Sequence, residues 1–590
     1  MTVHITRTGG NAAMDRFITD TQPSEKYRIV SRANAGEVMP DPCSPLNATM
    51  GMFEAGEQGW RDAYVVTGTF TRDEFEPDRT NTIHCFGGYM YINMSLTRLY
   101  GLRTGLMTPE QVDLQYFGEM AGIPPYEEEA RPTDVSPEAT AKLTAFMASE
   151  LWGKEDLPEL RADAAQTERL VRSRPDFAEL SNQELVDHAR SFIPLYRRLF
   201  NRHIVISGNS GMGIGTVAGI CAAVGRPELT MTLVAGLGDV DSAAPSMAMW
   251  DLGRLVAGSP SLMAAFDGGV QGLLDRLEAD GSKDATRFLD GFEALQARFG
   301  SRGPNEWELR SHTWGTKPEL VLSAIDRMRL SPDSAAPSGH QAERKAEADA
   351  AADEVRALVA GDAEVAGQLE AGLRAARLFL AGRERSKTNC IRIVHEMRLA
   401  LREVGRRLVA DGHLDSIEQI FMFTNEEIDA VLVDPAAWTD VAREREQQYL
   451  SLFDLEPPFV IVGDPPPLSE WKRRSDGAVE QSTAGTVLTG IAGCPGTARG
   501  RARVILDPSD PTALEPGDIL VAPMTDPAWT PLFVPAAAVV VNVGAQITHA
   551  VIVSRELGIP CVVSVTNATN LIPDGAMIEV DGTNGTVTIL

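Results

Sequence analysis

The sequence has few cysteines and no pair of them at the spacing of a metal or redox motif. Its six cysteines are scattered without a CxxC, and most lie in apolar runs, where a buried free thiol is the ordinary role. No apolar stretch typical of a signal peptide opens the chain, and we find no run of the about 18 apolar residues that a membrane-spanning helix needs. These absences predict a cytoplasmic protein without a disulfide framework.

Positive charge is also scarce. The chain has 54 Lys and Arg residues against 82 Asp and Glu residues, a formal net charge of -28. This balance gives no general attraction to nucleic acid or to an anionic membrane, so we expect neither as a partner. The 590 residues exceed what one hydrophobic core usually organises. We therefore expect a multidomain protein in which clustered cations mark functional sites.

Composition along the chain predicts a mainly α N-terminal region and a β-rich α/β C-terminal domain. Apolar residues recur at three- and four-residue spacings after an irregular beginning, which makes residues 1–330 mostly helical. Residues 331–350 lack large apolar side chains and predict an exposed connection that can run into a surface helix, after which 351–453 continue the helical region. Residues 454–485 are rich in proline and predict a linker. Short β-branched runs separated by Gly, Pro and Asp then predict a compact domain over 486–590.

The sequence around His549 predicts a strand, a glycine turn, a helix and a second strand. The apolar runs at 538–543 and 561–565 are typical of parallel strands buried on both faces. Thr548 is a suitable N-cap and Gly558 a suitable helix end. His549 would then begin a helix, where backbone N–H groups and the helix dipole stabilise a phosphoryl group carried by the imidazole. The alternative is a histidine that only caps or packs.

The same segment resembles a known family. GAQITHAVIVSRELGIPCVV, residues 544–563, resembles the swivelling phosphohistidine domain of the phosphoenolpyruvate-utilising enzymes, and MTDPAWTPLF, residues 524–533, is similar to the T-x-P-x-x-x-P-L segment that precedes the carrier strand there. The resemblance implies that residues 486–590 form a swivelling domain and that His549 carries a phosphoryl group between two sites. It also implies that Gly544 and Thr548 belong to the phosphate-holding loop.

Two parts of that family are not found in the sequence. A phosphoenolpyruvate-binding barrel needs roughly 250 residues, but the chain ends at Leu590. No GxxxxGK[ST] occurs, and the loose fingerprint Gly213-x-Gly215 lies outside any βαβ pattern, so we expect helix packing or a glycine turn there. Other segments, including ANAGEVMPDPCSPL and RERSKTNCIRIVHEMRLALREVGRRL, resemble rifampin phosphotransferases and the large subunit of phenylphosphate synthase. The resemblance implies a separate ATP-grasp-type subunit that uses ATP and Mg²⁺ to charge His549, and no metal site in this chain.

A helical stripe of mixed character predicts where the phosphoryl group is delivered. On a 3.6-residue period, one helix side carries apolar residues together with cations: Arg383, Lys387, Ile391, Val394, Arg398, Leu401 and Leu408. Two cations four residues apart on such a face repel each other and need an anion. The resemblance implies that Arg383 and Lys387 stabilise the transferring group, with Arg398 a weaker third candidate. The alternative is pairing with Glu384 and Glu396, or extension into solvent.

Two further polar groups are candidates for substrate binding. Arg302, Asn305 and Glu306 lie beside a Gly-Pro turn, where loop stabilisation and ligand contact are equal alternatives. Asn34 and Glu37 lie in one of the segments that carry the resemblance and pose the same choice.

Together these features predict a phosphotransferase component. It would transfer the phosphoryl group from His549 to the hydroxyl of a small organic acceptor, an alcohol or a phenol, bound by residues 1–330 and 351–453. One alternative is a non-enzymatic phosphocarrier or regulatory module acting on a protein partner. The pair of cations Arg383 and Lys387 argues against this alternative. Another is a nucleotide-dependent oxidoreductase built on residues 206–219. The hydroxyl proton would go to the released His549 or to another base, which the sequence does not identify.

Overall fold

The computed structural model describes most of the chain. The described residues are 15–105, 107–117, 123–127, 137–234, 244–333, 336–474, 481–506, 514–525, 529–544 and 548–590. The chain forms two compact units: unit 1 comprises residues 1–215, 307–310 and 374–478, and unit 2 comprises 216–306, 311–373 and 479–590. The division differs from the predicted boundaries because it falls inside two long helices.

Helices dominate the first 450 residues. The α-helices of the described residues are α1 (Ala35–Val38), α2 (Gln58–Thr67), α3 (Met94–Thr104), α4 (Pro109–Phe117), α5 (Pro137–Phe146), α6 (Pro158–Arg172), α7 (Asn182–Ser191), α8 (Ile193–Ala223), α9 (Leu229–Leu233), α10 (Ala244–Ala257), α11 (Pro260–Asp267), α12 (Leu273–Asp280), α13 (Lys283–Phe299), α14 (Glu319–Leu330), α15 (Pro337–Val359), α16 (Ala363–Ala410), α17 (Ile428–Val433), α18 (Thr439–Leu452), α19 (Thr530–Phe533), α20 (His549–Leu557) and α21 (Ala568–Leu571). Two π-helices, Asn47–Glu57 and Met147–Trp152, and short 3₁₀ turns complete them.

The strands fall into two groups. Those described are β1 (Ile29–Ser31), β2 (Ile83–Phe86), β3 (Tyr89–Asn93), β4 (Leu455–Glu456), β5 (Val460–Val462), β6 (Lys472–Arg473), β7 (Val487–Thr489), β8 (Ile491–Cys494), β9 (Thr497–Val504), β10 (Ile519–Ala522), β11 (Ala538–Val541), β12 (Cys561–Val563), β13 (Met577–Asp581) and β14 (Thr586–Ile589). The first six belong to unit 1 and the last eight to unit 2. A helical N-terminal region and an α/β C-terminal domain are therefore present, as predicted.

Unit 1 contains a small antiparallel sheet in the order β2-β3-β1-β5. Val30 of β1 pairs with Asn93 on one side and with Ile461 on the other, so β1 is a central strand. The chain leaves β1 and enters α1 directly. This connection places the Asn34–Glu37 segment against the sheet, since α1 packs on β3.

Helix α16 supplies much of the core of unit 1. Four apolar residues of the predicted stripe, Ile391, Val394, Leu401 and Leu408, are almost fully buried. The helix spans 48 residues and ends at Ala410, two residues before Gly412, whose φ of 76° suits a glycine after a helix. The apolar side of the stripe is thus confirmed.

The glycine-rich segment at 206–219 lies inside α8. A β carbon at Gly213 would lie 2.6 Å from the backbone nitrogen of Ala376 on α16, so the missing side chain lets the two helices touch. Gly215, two residues on, is exposed and has no heavy atom within 4 Å of its β-carbon position. The expected helix packing is confirmed. In the described residues 137–192, helices α5, α6 and α7 precede α8, in place of the strand that opens a dinucleotide-binding βαβ unit, so the structure contradicts that alternative.

The packing of α8 on α16 predicts opposite effects for two neighbouring substitutions. Gly213→Ala should destabilise unit 1 by about 1–3 kcal/mol, because an overpacked contact with backbone has to open. Gly215→Ala should stabilise it by up to about 1 kcal/mol through helix propensity. Urea unfolding followed by circular dichroism measures both, and equal midpoints for the two variants would contradict the close approach.

The predicted connection at 331–350 is largely helical, because α15 begins at Pro337. Of the described side chains at 345–350, Ala348 is buried and the other five are exposed. Just beyond this segment, Ala351 and Ala352 pack in unit 2 against Val217 and Leu233. The side chains of 337–344 lie outside the described set.

Both ends of the predicted 454–485 linker are attached to folded parts. In unit 1, β5 pairs with β1, and the buried Trp471 ring lies 6.2 Å from that of Tyr89. In unit 2, the Gly485 N–H donates to the carbonyl of Ile589. Residues 475–480, between these attachments, lie outside the described set. Strand pairing by β-branched residues and packing of Trp471 attach residues 455–474 to unit 1, although the segment is rich in proline.

The C-terminal domain is built on an eight-stranded sheet in the order β7-β14-β13-β9-β10-β11-β12-β8. Its centre is parallel: β9, β10, β11 and β12 run in one direction, with Val540 paired to Val521 and Val562. This confirms the parallel neighbours predicted from the near-continuous apolar runs. Helix α20 connects β11 to β12, so its first turn follows the carboxyl end of a buried parallel strand.

One helical stretch satisfies the length and composition of a membrane span. It covers Asn182–Ala223, with a mean hydropathy of 1.4 over its most apolar 18-residue window, of which 44% is buried inside the protein. The expectation that no such window exists is therefore wrong. Buried core helices pass the same test, so this stretch is weak support for a membrane location.

Candidate functional site

His549 is the first residue of α20, as the sequence predicts. Thr548 holds the N-cap position with an extended backbone, φ -78° and ψ 164°, although its side chain makes no capping hydrogen bond. The helix ends at Gly558, which has φ 71°. A group attached to the partly buried His549 would therefore lie at the positive end of a nine-residue helix.

Two threonine hydroxyls hold the imidazole. Thr525 Oγ1 lies 3.1 Å from Nδ1, and Thr530 Oγ1 lies 3.2 Å from Nε2. The edge of the Phe533 ring packs against the imidazole at 5.8 Å between centroids. A neutral imidazole donates from one nitrogen and accepts at the other, so one hydroxyl accepts and the other donates. Both threonines lie in the TDPAWTPL segment, which carried the signal for them, but its individual threonines were not chosen from the sequence.

Gly544 is required by packing. A β carbon there would lie 3.0 Å from Cβ of Val563 and 3.2 Å from Oγ1 of Thr548. Ser564 Oγ donates to the Gly544 carbonyl at 2.5 Å. The strand end and the helix start thus approach each other more closely than any side chain allows. The remaining loop residues, 545–547, lie outside the described set, so the phosphate-holding role of Gly544 and Thr548 stays a prediction.

A cavity of about 310 Å³ lies at the opposite end of α20. It is lined by unit 2 residues that include Leu557, Gly558 and Pro560 from the helix end, and Pro516 and Val534 from the sheet. Because His549 begins the helix and this cavity lies where it ends, the cavity is not the place of His549 chemistry.

In unit 1, α8 and α16 bring a histidine to the predicted cations. Ser386 Oγ donates to the carbonyl of Arg383 at 2.9 Å, and His203 Nδ1 lies 3.0 Å from the same hydroxyl. Because the serine proton is used by the carbonyl, we assign Nδ1–H of His203 as the donor to Ser386. Burial, together with the charges of Arg383 and Lys387, lowers the pKa of His203 to about 3. His203 is therefore neutral at physiological pH.

Aromatic rings enclose His203 on one side. The Trp307 ring lies 5.8 Å from the imidazole, and the Phe200 ring lies 6.2 Å from it and 5.8 Å from Trp307. These rings shield one side of the imidazole from water, which strengthens the field of the two cations there. The sequence analysis did not choose His203. Its only signal is a lone histidine in an apolar helix, which usually indicates core packing.

Arg383 has one carboxylate partner and one carboxyl neighbour. Its Nη1 lies 3.2 Å from Glu384 Oε1, so this part of the pairing alternative is found. Glu396, the other suggested partner, instead pairs with Arg174 at 2.6 Å. Burial raises the pKa of Glu37 to about 7, while the charge of Arg383 opposes the rise. The charge of Arg383 thus acts on the partly buried Glu37, and Lys387 follows Arg383 by about one turn of α16, whereas Asn34 is exposed, with φ 59°.

Arg398 connects α16 to the 307–310 segment. It is fully buried, and its guanidinium donates to the carbonyls of Leu309 at 3.2 Å and Glu308 at 2.8 Å. These bonds hold the 307–310 segment on α16. The structure therefore assigns Arg398 to this segment rather than to the transferring group, although it shares a helix side with Arg383.

Arg302 and Glu306 form a buried ion pair in unit 2, 3.0 Å apart. The Arg302 carbonyl accepts from the N–H of Trp314, and a β carbon at Gly303 would lie 2.7 Å from the His312 carbonyl oxygen. These contacts favour the loop-stabilising alternative for Arg302 and Glu306. The neighbouring Asn305 has φ 48° and is buried in the same turn.

The two arginines of α16 should behave differently on substitution. Arg398→Met leaves two buried carbonyls without their donor, so we expect a loss of about 2–5 kcal/mol of stability. Arg383→Met removes a partly exposed side chain beside Glu384, so we expect a change below about 1 kcal/mol. Urea unfolding of both variants checks this. Equal losses would mean that Arg383 also holds the core.

The two candidate regions match families of known proteins. Residues 514–585 match the mobile domain of phosphoenolpyruvate-utilising enzymes, and residues 202–384 match the fourth domain of rifampicin phosphotransferases. His549 lies in the first segment, and His203 and Arg383 lie in the second. The resemblance to the phosphoenolpyruvate-utilising enzyme family is thereby confirmed.

Individual relatives of the chain carry the names of phosphotransferases or transferases. A rifampicin phosphotransferase of Streptomyces sviceus is 34% identical over 369 residues, 61% of this chain and 41% of the relative. Another from a Streptomyces species is 30% identical over 442 residues, 72% of this chain and 50% of the relative. The prodigiosin synthesizing transferase PigC of Serratia marcescens is 30% identical over 363 residues, 60% of this chain and 39% of the relative. The chain thus spans half or less of these relatives.

Proposed function

We propose that this chain is a phosphotransferase component that carries a phosphoryl group on His549 and transfers it to the hydroxyl of a small organic acceptor. The observation that carries the proposal is the position of His549 at the start of α20, inside a segment that matches a mobile domain of phosphoenolpyruvate-utilising enzymes. The relatives named as phosphotransferases support the same reaction class.

The carrier geometry suits a transient phosphohistidine. Thr525 and Thr530 orient the ring, so a ring nitrogen meets the incoming phosphorus without a search over rotamers. The helix N-terminus stabilises the added negative charge by an amount of up to about 2 kcal/mol. This is enough to hold the group and small enough to let it leave.

The acceptor site is the cluster around Arg383 and Lys387 in unit 1. There the acceptor oxygen forms a bond to phosphorus while the N–P bond of phosphohistidine breaks and returns its electron pair to the imidazole. Transfer depends mainly on positioning and on neutralising the phosphoryl oxygens, which the two cations provide. An alcohol or a phenol supplies the attacking oxygen. The reaction requires the domain that carries His549 to reach this cluster.

Charging of His549 by ATP and Mg²⁺ belongs to a separate ATP-grasp-type subunit in this proposal. Among the described residues, no group of three His, Cys, Asp or Glu side chains is arranged to hold a metal ion. No step proposed for this chain passes through a metal. The location proposed for this chemistry is the cytoplasm.

Labelling tests the carrier. The purified chain is incubated with ATP labelled at the β or γ position, alone and with a candidate ATP-grasp subunit. We expect acid-labile label that requires the subunit, disappears in His549→Ala and persists in His413→Ala, a control in unit 1. Absence of label under every condition would remove the carrier role and leave a fold resemblance.

Discharge of the labelled chain tests the acceptor cluster. Arg383→Met and Lys387→Met should still accept label on His549, because neither lies in the carrier domain. Each should lower the rate of transfer to added alcohols or phenols by about 10²–10³-fold, as loss of a charge-stabilising donor does elsewhere. Label that passes only to a protein, with both variants unaffected, would favour the regulatory phosphocarrier alternative.

A further inference from the structure

A hydroxyl acceptor loses a proton when its oxygen is phosphorylated, and the two cations of the acceptor cluster cannot take it. The reaction therefore needs a group near Arg383 and Lys387 that holds the attacking hydroxyl by its proton. Such a group has an unprotonated atom that a bound acceptor can reach. The question rests on the proposed function, because it concerns the same transfer step.

Hydrogen bonds attach His203 of α8 to the turn of α16 that carries the two cations. His203 Nδ1 lies 3.0 Å from Ser386 Oγ, and this hydroxyl donates to the carbonyl of Arg383 at 2.9 Å. Ser386 directly precedes Lys387 in the sequence. The imidazole is therefore anchored to the stretch of α16 that runs from Arg383 to Lys387.

Close packing of α8 on α16 explains why the imidazole reaches this turn. A β carbon at Gly213 would lie 2.6 Å from the backbone nitrogen of Ala376, and one at Gly382 would lie 3.4 Å from Cγ2 of Ile206. As α8 is followed backward between these two contacts, α16 advances, so the two helices are antiparallel. About one further turn along the pair brings His203 to the serine hydroxyl.

The hydrogen bonds and the neighbouring rings fix the tautomer and the direction of the imidazole. Because the Ser386 proton is used by the carbonyl of Arg383, Nδ1 of His203 carries a proton and Nε2 keeps a lone pair. The rings of Trp307 and Phe200 pack 5.8 and 6.2 Å from the imidazole. Rotation of the ring would break the bond to Ser386, so Nε2 keeps one direction.

Nε2 is the atom of His203 that an acceptor can reach. It has no hydrogen-bond partner among the described residues, and the protein does not enclose it, since His203 is only partly buried. Arg383 and Lys387 are partly exposed as well. The lone pair and both cations are thus accessible, as a site for a hydroxyl and a phosphoryl group requires.

We propose that His203 holds the acceptor hydroxyl through Nε2 and takes its proton as the phosphoryl group is transferred. In the charged chain, one ring nitrogen of His549 carries the phosphoryl group and the other carries a proton. The acceptor oxygen forms the O–P bond, the N–P bond breaks and returns its electron pair to His549, and the hydroxyl proton moves to Nε2. The products are the phosphate ester, neutral His549 and protonated His203, which returns its proton to water.

A weakly basic histidine suits this role. Burial and the charges of Arg383 and Lys387 lower the pKa of His203 to about 3, so its lone pair is available at neutral pH. A phosphoryl dianion that binds the two cations offsets their charge and makes the ring more basic. The proton of the attacking hydroxyl also becomes more acidic as the oxygen bonds to phosphorus, so a weak base accepts it.

The test uses the full chain charged on His549 with labelled phosphate by its ATP-binding partner. Discharge is followed at pH 8 with benzyl alcohol and with 4-nitrophenol, each corrected for loss of label without acceptor. The test variant is His203→Asn, whose amide nitrogen can replace Nδ1 as donor to Ser386, while no atom replaces Nε2. This variant should discharge to benzyl alcohol about 10²-fold more slowly than the wild type.

Acceptor acidity separates proton acceptance from a general change in the shape of the site. At pH 8, 4-nitrophenol is largely ionised and has no hydroxyl proton to give, so His203→Asn should slow its discharge by less than about 3-fold. His188→Asn is the matched control: His188 lies on α7 in the same unit, with its ring 5.8 Å from Phe177 and 4.9 Å from Phe192. The control should discharge to both acceptors at the wild-type rate.

The tautomer of His203 is checked in the unsubstituted chain. Nitrogen NMR of the ¹⁵N-histidine-labelled protein at pH 7 should show a protonated Nδ1 and an unprotonated Nε2 for this residue. Its signals are identified by their absence from His203→Asn or His203→Gln. A proton on Nε2 would overturn the proposal, because no lone pair would then be open to the acceptor.

The unfolding midpoint shows whether the variant is folded. A folded His203→Asn chain that discharges to benzyl alcohol at the wild-type rate, or is slowed equally for both acceptors, would overturn the role of His203 while the phosphotransfer stands. Labelled wild type that neither acceptor discharges would overturn transfer to these hydroxyls together with the role of His203. Failure to label His549 would remove the proposed function itself.

Discussion

One side of α16 carries both apolar residues and cations, and the organisation of unit 1 depends on how the cations find partners. The side is apolar enough to form the core, yet it carries cations that are costly to bury without partners. Arg398 is stabilised in the core by donating hydrogen bonds to the carbonyls of Glu308 and Leu309. These bonds attach the 307–310 segment to the helix. Arg383 and Lys387 lie farther toward the N-terminus, where the core gives way to titratable side chains. The same stripe therefore supplies both a structural anchor and a candidate anion site.

The C-terminal domain, residues 486–590, holds the imidazole of His549 in a fixed direction. Parallel pairing of β10, β11 and β12 requires a connection that crosses the sheet, and α20 is that connection. Its first residue is His549, and Gly544, at the other side of the loop, packs closely against Val563. Thr525 and Thr530 then hold the ring from a separate segment. The reactive group is positioned by the backbone, with side chains adjusting only its rotation.

Sequence reasoning was strongest where local pattern and fold coincide. The apolar runs around His549 determined strand, helix and histidine position, and the stripe on α16 determined its buried face. It was weaker where partners are distant in the chain. His203 gave no local signal because its role depends on Ser386, 183 residues later. The structural role of Arg398 depends on the carbonyls of Glu308 and Leu309, which the sequence pattern of α16 does not predict. Residues 455–474 were assigned to a linker because their proline content conceals the pairing of β5 with the distant β1.

The two candidate sites differ in the kind of group that meets the phosphoryl charge. At His549 the neighbours are hydroxyls, a phenyl ring and a helix N-terminus, which offer dipoles without a full charge. At the unit 1 cluster the neighbours are Arg383 and Lys387. A dianion is stabilised more strongly by cations in a water-poor site than by dipoles. In the proposed transfer, the phosphoryl group would therefore move from a site of dipoles to a site of full positive charges.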